Sequence, residues 1–272
     1  MNQVLIIDKL VSSIAEIRDL KKGFITNFYL DIPKHSLWVN KGALYIERTS
    51  DTLFIVKKND TFWNVFFCST TLEELSHSLQ KFNEKYKDIF LMYDVVGNER
   101  MLVLYKEIFD SQMDEYCSLV RMSKINTEQE YMLSDDVRVA SMLQASELCD
   151  ILNNYFDEKT EQIPYIEEIL SLIEKENVLV CEHEGKIIGF VIFEKSLKTL
   201  YLRYWFVHPK YRNMKVGSKL LNHFFYCGKD CKRHQLWVIK TNDNAIVRYD
   251  HYGFKVENLF DLVYTNKKIK YQ

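Results

Sequence analysis

The chain has little of what linkers are made from. Its 272 residues include eight glycines and three prolines, too few for flexible connectors or disordered tails. A long apolar run is also missing. The longest, residues 187–193, is the length of a strand and cannot cross a bilayer. Residues 4–7 are apolar, but Asp8 and Lys9 interrupt them too soon for a signal-peptide core. Nor does one sign of charge dominate. Thirty-six Lys and Arg stand against 38 Asp and Glu, for a net charge of −2. That excludes the basic field of a protein that coats nucleic acid. The six cysteines (Cys68, Cys117, Cys149, Cys181, Cys227, Cys231) stand singly in apolar surroundings. They read as reduced core thiols, not a disulfide framework. The expectation is a soluble cytoplasmic protein with neither nucleic acid nor membrane as partner.

What is present suits one large domain or two small ones. Hydrophobic residues make up 47% and charged residues 27%, enough to fill a core and cover a surface. Aromatic content is high at 14%, with 17 Tyr and 17 Phe.

The second half alternates strand and helix patterns. Residues 137–141 read as a strand and 146–156 as a helix. Ile163, Ile166, Leu170 and Ile173 mark a second helical face. A hairpin turns at Glu184-Gly185 between runs 178–182 and 186–194. Residues 200–207 form a central strand, 217–227 a helix, 235–240 a strand and 244–252 a short helix, with final strands in 254–267.

The first half repeats part of this order. Residues 53–56 and 62–68 read as strands. Thr70-Thr71-Leu72-Glu73-Glu74 offers a capping box that opens a helix with Leu72, Leu75, Leu79 and Phe82 on one face. Residues 89–93 then read as a strand, 99–109 as a helix and 116–122 as a strand. Asn98 stands seven residues before Tyr105, as Asn242 does before Tyr249, an offset of 144 between the pairs. We read a diverged duplication. It divides the chain into residues 1–127 and 128–272 at the polar stretch 123–130. The first copy has Cys68-Ser69-Thr70-Thr71-Leu72 where the second has a basic glycine loop, so it is expected not to bind the second copy's ligand.

That loop is Arg212-Asn213-Met214-Lys215-Val216-Gly217-Ser218. It joins the central strand to a helix. A basic loop with glycine at a helix start points backbone N–H groups and the helix dipole at an anion. The anion expected here is the pyrophosphate of a nucleotide-like cofactor. Glycine leaves the donors unobstructed. His223, Cys227, Cys231 and His234 superficially suggest zinc. A structural zinc site normally draws a second ligand pair from a separate turn, so these read as buried side chains and no metal is expected. Asp157, Glu158 and Glu161 read as a solvated loop.

The loop, together with Asn242 and the Tyr249-x-x-x-Gly253-Phe254 segment, resembles the GNAT superfamily of acyl-CoA-dependent N-acyltransferases over roughly the last half of the chain. The family's loop reads Q/R-x-x-G-x-G/A. Arg212 and Gly217 match it, whereas Lys215 stands where the first glycine is usual. The resemblance implies an α/β fold with a mixed, mostly antiparallel sheet flanked by helices, preceded by a degenerate unit of similar order. It implies acetyl-CoA as co-substrate, held by Arg212 to Ser218, by Asn242, and by the backbone of Trp205, Phe206 and Val207, where the family's central strand splays from its neighbour. It implies direct attack of a primary amine, on a small molecule or a peptide, with Tyr249 protonating the leaving thiolate. The general base stays open among Glu194, His208 and a water near Tyr204. Two other readings stay open: a module that holds acyl-CoA without turnover, and a tandem GNAT that transfers aminoacyl or peptidyl groups.

Overall fold

The computed structural model describes residues 1–127, 130–268 and 271. Its elements, in chain order, begin with β1 (Asn2–Gln3), α1 (Ile7–Asp19), β2 (Ile25–Thr26), α2 (Ile32–Asn40), β3 (Leu44–Thr49), β4 (Thr52–Lys58) and β5 (Trp63–Ser69). There follow α3 (Leu72–Lys85), β6 (Leu91–Gly97), α4 (Glu99–Phe109) and β7 (Asp114–Ile125). The second half continues with β8 (Val137–Val139), α5 (Ala145–Tyr155), α6 (Glu158–Glu161), α7 (Ile166–Glu174), β9 (Val178–His183), β10 (Lys186–Ser196) and β11 (Thr199–Val207). After a 3-10 turn at Pro209–Met214 come α8 (Val216–Cys227), β12 (Arg233–Ile239), α9 (Asp243–His251) and β13 (Lys255–Thr265). Among the described residues no helix is long and apolar enough to cross a membrane.

Two compact units result. One is Met1–Leu119 with Asn258–Gln272, and the other is Val120–Glu257. The grouping differs from a single cut after residue 127, because β7 begins in the first unit and ends in the second, while β13 does the reverse.

In the first unit the strand order is β1-β3-β4-β5-β6-β13, with β2 on β5. These neighbours pair antiparallel except β5 with β6, which run parallel at Trp63–Leu91 and Asn64–Met92. Phe54, Phe67, Leu79, Phe82, Tyr93 and Phe109 fill the space between this sheet and the helices α3 and α4. The helix starts obey the capping rules only in part. Thr71 accepts from the Glu74 amide at 3.1 Å, but the Glu74 carboxylate is drawn to the Asp51 amide and the Ser78 hydroxyl. The expected box is therefore half made, since tertiary donors outcompete the local one.

The second unit repeats the scheme. Its order is β8-β9-β10-β11-β12, with β11 and β12 parallel and the other pairs antiparallel. The 144-residue offset holds down to the caps: Asn98 accepts from the Met101 amide at 3.0 Å and Asn242 from the Ala245 amide at 3.1 Å. Helices α5 and α7 cover one face of the sheet, packing Leu148, Leu152, Ile169 and Ile173 against Val180, Phe190 and Phe206. Helix α8 covers the other with Val216, Leu220, Leu221, Phe224 and Phe225. The strand β7 is tied in at its end, where Ser123 and Arg121 donate to Glu257 and the Asn126 side chain donates to the carbonyls of Lys229 and Cys231, each at 2.9 Å.

Gly189 on β10 sets how closely α8 approaches. A Cβ there would stand 2.8 Å from Val216 Cγ1, 2.9 Å from the Phe206 carbonyl oxygen and 3.1 Å from Leu220 Cδ1. Backbone cannot yield as a side-chain tip can. Gly189→Ala should therefore cost roughly 1–3 kcal/mol through overpacking, read as a lower urea midpoint. An unchanged midpoint would show that α8 is seated loosely.

Candidate active site

The central strand changes character halfway. Against β10, Ile192 faces Tyr204 and Phe193 faces Leu202, so Arg203 is an extra, unpaired residue. A bulge of this kind reverses the side-chain alternation beyond it. Before it, Leu200 and Leu202 lie buried, and Leu200 would meet a Cβ on Gly228 at the end of α8. After it, Tyr204 and Phe206 join the opposite core under α5 and α7. Trp205 thereby turns to the α8 side, beside Gly217. The pairing with β12 covers only Thr199–Leu202 against Arg233–Leu236. Past Leu202 the two strands part, and the β12-side backbone groups of residues 203–207 have no ladder partner there among the described residues.

The loop after β11 closes this gap from one end. His208 accepts from the Lys210 amide at 3.3 Å through Nδ1 and so starts the 3-10 turn. Lys215 ends it with φ 58° and ψ 15°. This left-handed conformation explains why glycine suits the position: a side chain there costs roughly 1 kcal/mol or more. The amides of Val216, Gly217 and Ser218 precede the first intrahelical bond, from the Lys219 N–H to the Lys215 carbonyl at 3.1 Å. Lys215 supplies no side-chain cap. These donors and the positive end of α8 border a cleft of about 580 Å³. Arg212, Lys215 and Arg248 line it with Trp205, Val207 and Tyr252, and no carboxylate is in its lining.

Glycine at 217 answers to packing. A Cβ there would sit 2.9 Å from Trp205 Cζ2. The indole in turn meets Tyr249 and Tyr252 of the next helical segment, with ring centroids 5.6 and 6.0 Å apart, and lies 5.8 Å from the Arg248 guanidinium. Its Nε1 donor is buried with no hydrogen-bond partner among the described residues. An unpaired donor in such a cleft fits a ligand that brings acceptors. Ser218 and Tyr252 hydroxyls share a hydrogen bond of 2.8 Å that holds the starts of α8 and the end of α9 together.

The sequence-selected residues are brought together unevenly. Val207, Arg212, Lys215, Gly217 and Ser218 line the cleft. Asn213 and Met214 are exposed on the turn. Val216 is buried under α8, and the Phe206 ring stacks on Phe190, 5.4 Å between centroids, so both face core rather than cleft. The Asn242 side chain is engaged as the cap of α9, while its neighbour Asn244 reaches the cleft. Tyr249 lies half-buried between Trp205 and Phe254. Burial, and secondarily the charge of Glu161, push its phenol well above the usual tyrosine range.

Two expected candidates for proton acceptor are occupied elsewhere. Glu194 accepts from Arg203 at 3.2 Å, and His208 holds the turn. The histidines and cysteines of α8 and β12 are likewise engaged or buried. His223 Nε2 meets the Ser134 backbone, and His234 Nε2 lies 3.3 Å from the Gly228 carbonyl oxygen. Among the described residues no three His, Cys, Asp or Glu side chains group as a metal site. The acidic segment departs from expectation in part: Glu158 is exposed, but the stretch forms the short helix α6. Asp157 caps α6 through the Lys159 amide at 3.3 Å, and Glu161 is turned inward. Burial pushes the Glu161 carboxyl up to about 7, with Arg203 opposing and Asp157 adding to the rise.

Lys215→Gly should separate strain from charge. Relief of the left-handed lysine should raise stability by up to about 1 kcal/mol, while loss of a cation should shrink the thermal shift produced by a polyanionic ligand. A lower melting temperature for the ligand-free variant would refute the strain argument.

A model of the acetyltransferase (GNAT) domain matches residues 174–256. No match appears among curated proteins. In fold the chain is similar to a GCN5-related N-acetyltransferase from Sphaerobacter thermophilus, with TM-score 0.59 and 12% identity over 79% of this chain and 76% of that one. It is similar to a tandem GNAT protein from the clavulanic acid biosynthesis pathway, with TM-score 0.58 and 9% identity over 82% and 83%. A GNAT-family acetyltransferase from Colwellia psychrerythraea aligns over 93% of this chain and 96% of its own, with TM-score 0.53 and 14% identity. At such identities the likeness is one of fold, and it extends over both units. The match to the GNAT acetyltransferase domain and the likeness of fold coincide over residues 174–256.

Proposed function

We propose that the second unit transfers an acetyl group from acetyl-CoA to a primary amine by direct attack on the thioester. The observation that carries this reading is the cationic cleft at the start of α8, with uncapped amides, Arg212, Lys215 and Arg248 beside a strand whose edge is left open. The amides of Val216, Gly217 and Ser218 would hold the pyrophosphate. The free backbone of residues 203–207 would take the pantetheine arm and stabilise the oxyanion that develops at the thioester carbonyl. Tyr249 would donate its proton to the leaving sulfur. Among the described residues no cysteine is in a disulfide, which suits a reducing, cytoplasmic setting.

The first unit is proposed to lack this ligand. Its counterpart helix α3 is capped by Thr71 and carries Glu73 and Glu74 in its first turn, which occupies the Glu74 amide and repels an anion. The acceptor would be the primary amine of a small molecule or a peptide.

Acetyl-CoA should raise the melting temperature of the wild-type protein by mass action. Gly217→Glu should abolish that shift, since it sets a side chain against Trp205 and a negative charge against the pyrophosphate. Absence of any shift in the wild-type protein at millimolar acetyl-CoA would sink the assignment. Thiol release with a panel of amines then separates turnover from simple retention of the thioester.

Tyr249→Phe keeps the ring against Trp205 and removes the hydroxyl alone. The acetyl-CoA shift should persist while kcat falls by roughly 100-fold or more, the range for losing a general acid. Unchanged kcat would reduce Tyr249 to a packing residue.

A further inference from the structure

We infer that Glu161 is the proton acceptor of the second unit, its carboxylate taking a proton from the incoming ammonium so that the amine nitrogen can attack. This inference rests on the acyl-transfer reading above. Glu161 is the last residue of α6, a single turn that packing pins to the central strand. The Tyr204 hydroxyl donates to the Glu161 carbonyl oxygen at 2.6 Å and reaches that of Gln162 at 3.3 Å. Gln162 follows with φ 47°, a left-handed conformation that a glutamine keeps only where its surroundings impose it. Phe156 packs edge-on against the Tyr204 ring, 5.3 Å between centroids. A backbone held in this manner fixes where the Glu161 side chain departs.

The side chain itself is left ready. It makes no hydrogen bond or ion pair with the described residues, and the nearby cation, Arg203, is paired with Glu194. Its charge acts on Tyr201 and Tyr204 of β11 and on Tyr249 of α9. Tyr204 lies just past the point where β11 parts from β12, and the Tyr249 ring packs on Trp205 of the same stretch, so α6 is anchored beside the place at which the thioester is expected. The opposite cleft, where the cofactor phosphates are expected, is lined by cations without a carboxylate. Acid and base duties thus fall on different groups. Burial raises both, keeping Tyr249 a phenol throughout the physiological range and leaving Glu161 divided between its two forms near neutrality.

The proton account closes. Glu161 takes one proton from the ammonium and later releases it to water. The nitrogen lone pair forms the C–N bond, the C–S bond breaks, and the departing sulfur takes the Tyr249 proton. The second proton on the new amide nitrogen restores Tyr249. The sequence masked this role because Glu161 lies in an acidic, polar segment and meets Tyr204 across a separation of 43 residues.

The test compares two acceptors across pH: an alkylamine, protonated at neutral pH, and hydroxylamine, which is not. In the wild-type protein, kcat/KM for the alkylamine should rise with pH through about 7, and hydroxylamine should weaken the dependence on Glu161. Glu161→Gln should retain the acetyl-CoA thermal shift, lose roughly 100-fold or more in kcat with the alkylamine, and be largely spared with hydroxylamine. Equal loss on both acceptors, or a variant that keeps the limb near 7, would overturn the assignment of Glu161 alone. A wild-type protein without an acetyl-CoA shift would instead overturn the acyltransferase reading. Stability provides a second readout that needs no substrate. A carboxyl raised in the folded state binds more protons there than when unfolded, so wild-type stability should fall as pH rises from about 4.5 to about 7. The gap in melting temperature between Glu161→Gln and wild type should widen over that window, and a constant gap would overturn the assignment. If the variant does not fold, the wild-type limb decides: it must be present for the alkylamine, and its absence sinks the inference.

Discussion

The unpaired residue Arg203 reverses the side-chain alternation of β11, and much of the site depends on that reversal. A regular strand would send Leu200, Leu202, Tyr204 and Phe206 to one core. With one residue added, the first pair packs toward α8 and the second toward α5 and α7. Trp205 is thereby placed against Gly217, where a regular strand would have pointed it at the other layer. The same distortion accompanies the parting of β11 from β12 after Leu202. Sheet-forming groups that would otherwise satisfy one another become available to a ligand, and they do so inside a core dense enough to hold them still.

The two faces of this opening differ in charge. On the α8 side stand Arg212, Lys215 and Arg248, with the positive end of a helix. On the α6 side stand Asp157 and Glu161, with Arg203 neutralised by Glu194. The charges of the two sides would thus draw an anion and a cation to opposite faces of one strand. The Tyr204 hydroxyl supports this division by fixing the α6 turn, and burial pushes that phenol up to about 12, so it stays a donor at any working pH.

Much of the second unit was legible in its residues. Alternating apolar runs mark β9, β10 and β11, and the glycine loop marks the start of α8. The Asn98 and Asn242 offset exposed a repeat that the structure keeps down to matching caps. Three things were not legible. Bulges have no strong signature, and a lone arginine in an apolar strand is the only trace of Arg203. Residues that pack from far apart in sequence, such as Tyr204 with Glu161, leave no local pattern. Helices α1 and α2 carry short signals, the face of Leu10, Ile14 and Ile17 and the Asp31 cap on the Lys34 amide, set among polar residues. Lys215 was read as a departure from a glycine position. The structure shows that the position asks for a left-handed backbone, which a lysine also adopts, at a cost.

The order in which the polypeptide is made meets a constraint from β13. The strand that borders β6 in the first unit is not the next one in the chain but the last, with Leu262 opposite Val95 and Tyr264 opposite Tyr93. Tyr264 also donates to Asp110 at 2.7 Å, and Asn266 receives the Leu91 amide at 2.9 Å. During synthesis the first unit therefore waits with one sheet edge bare until the second unit has been translated. An exposed edge of that kind invites pairing with other chains. The protein's vulnerable interval is thus set by the ribosome's progress through residues 120–257 rather than by the stability of the finished fold.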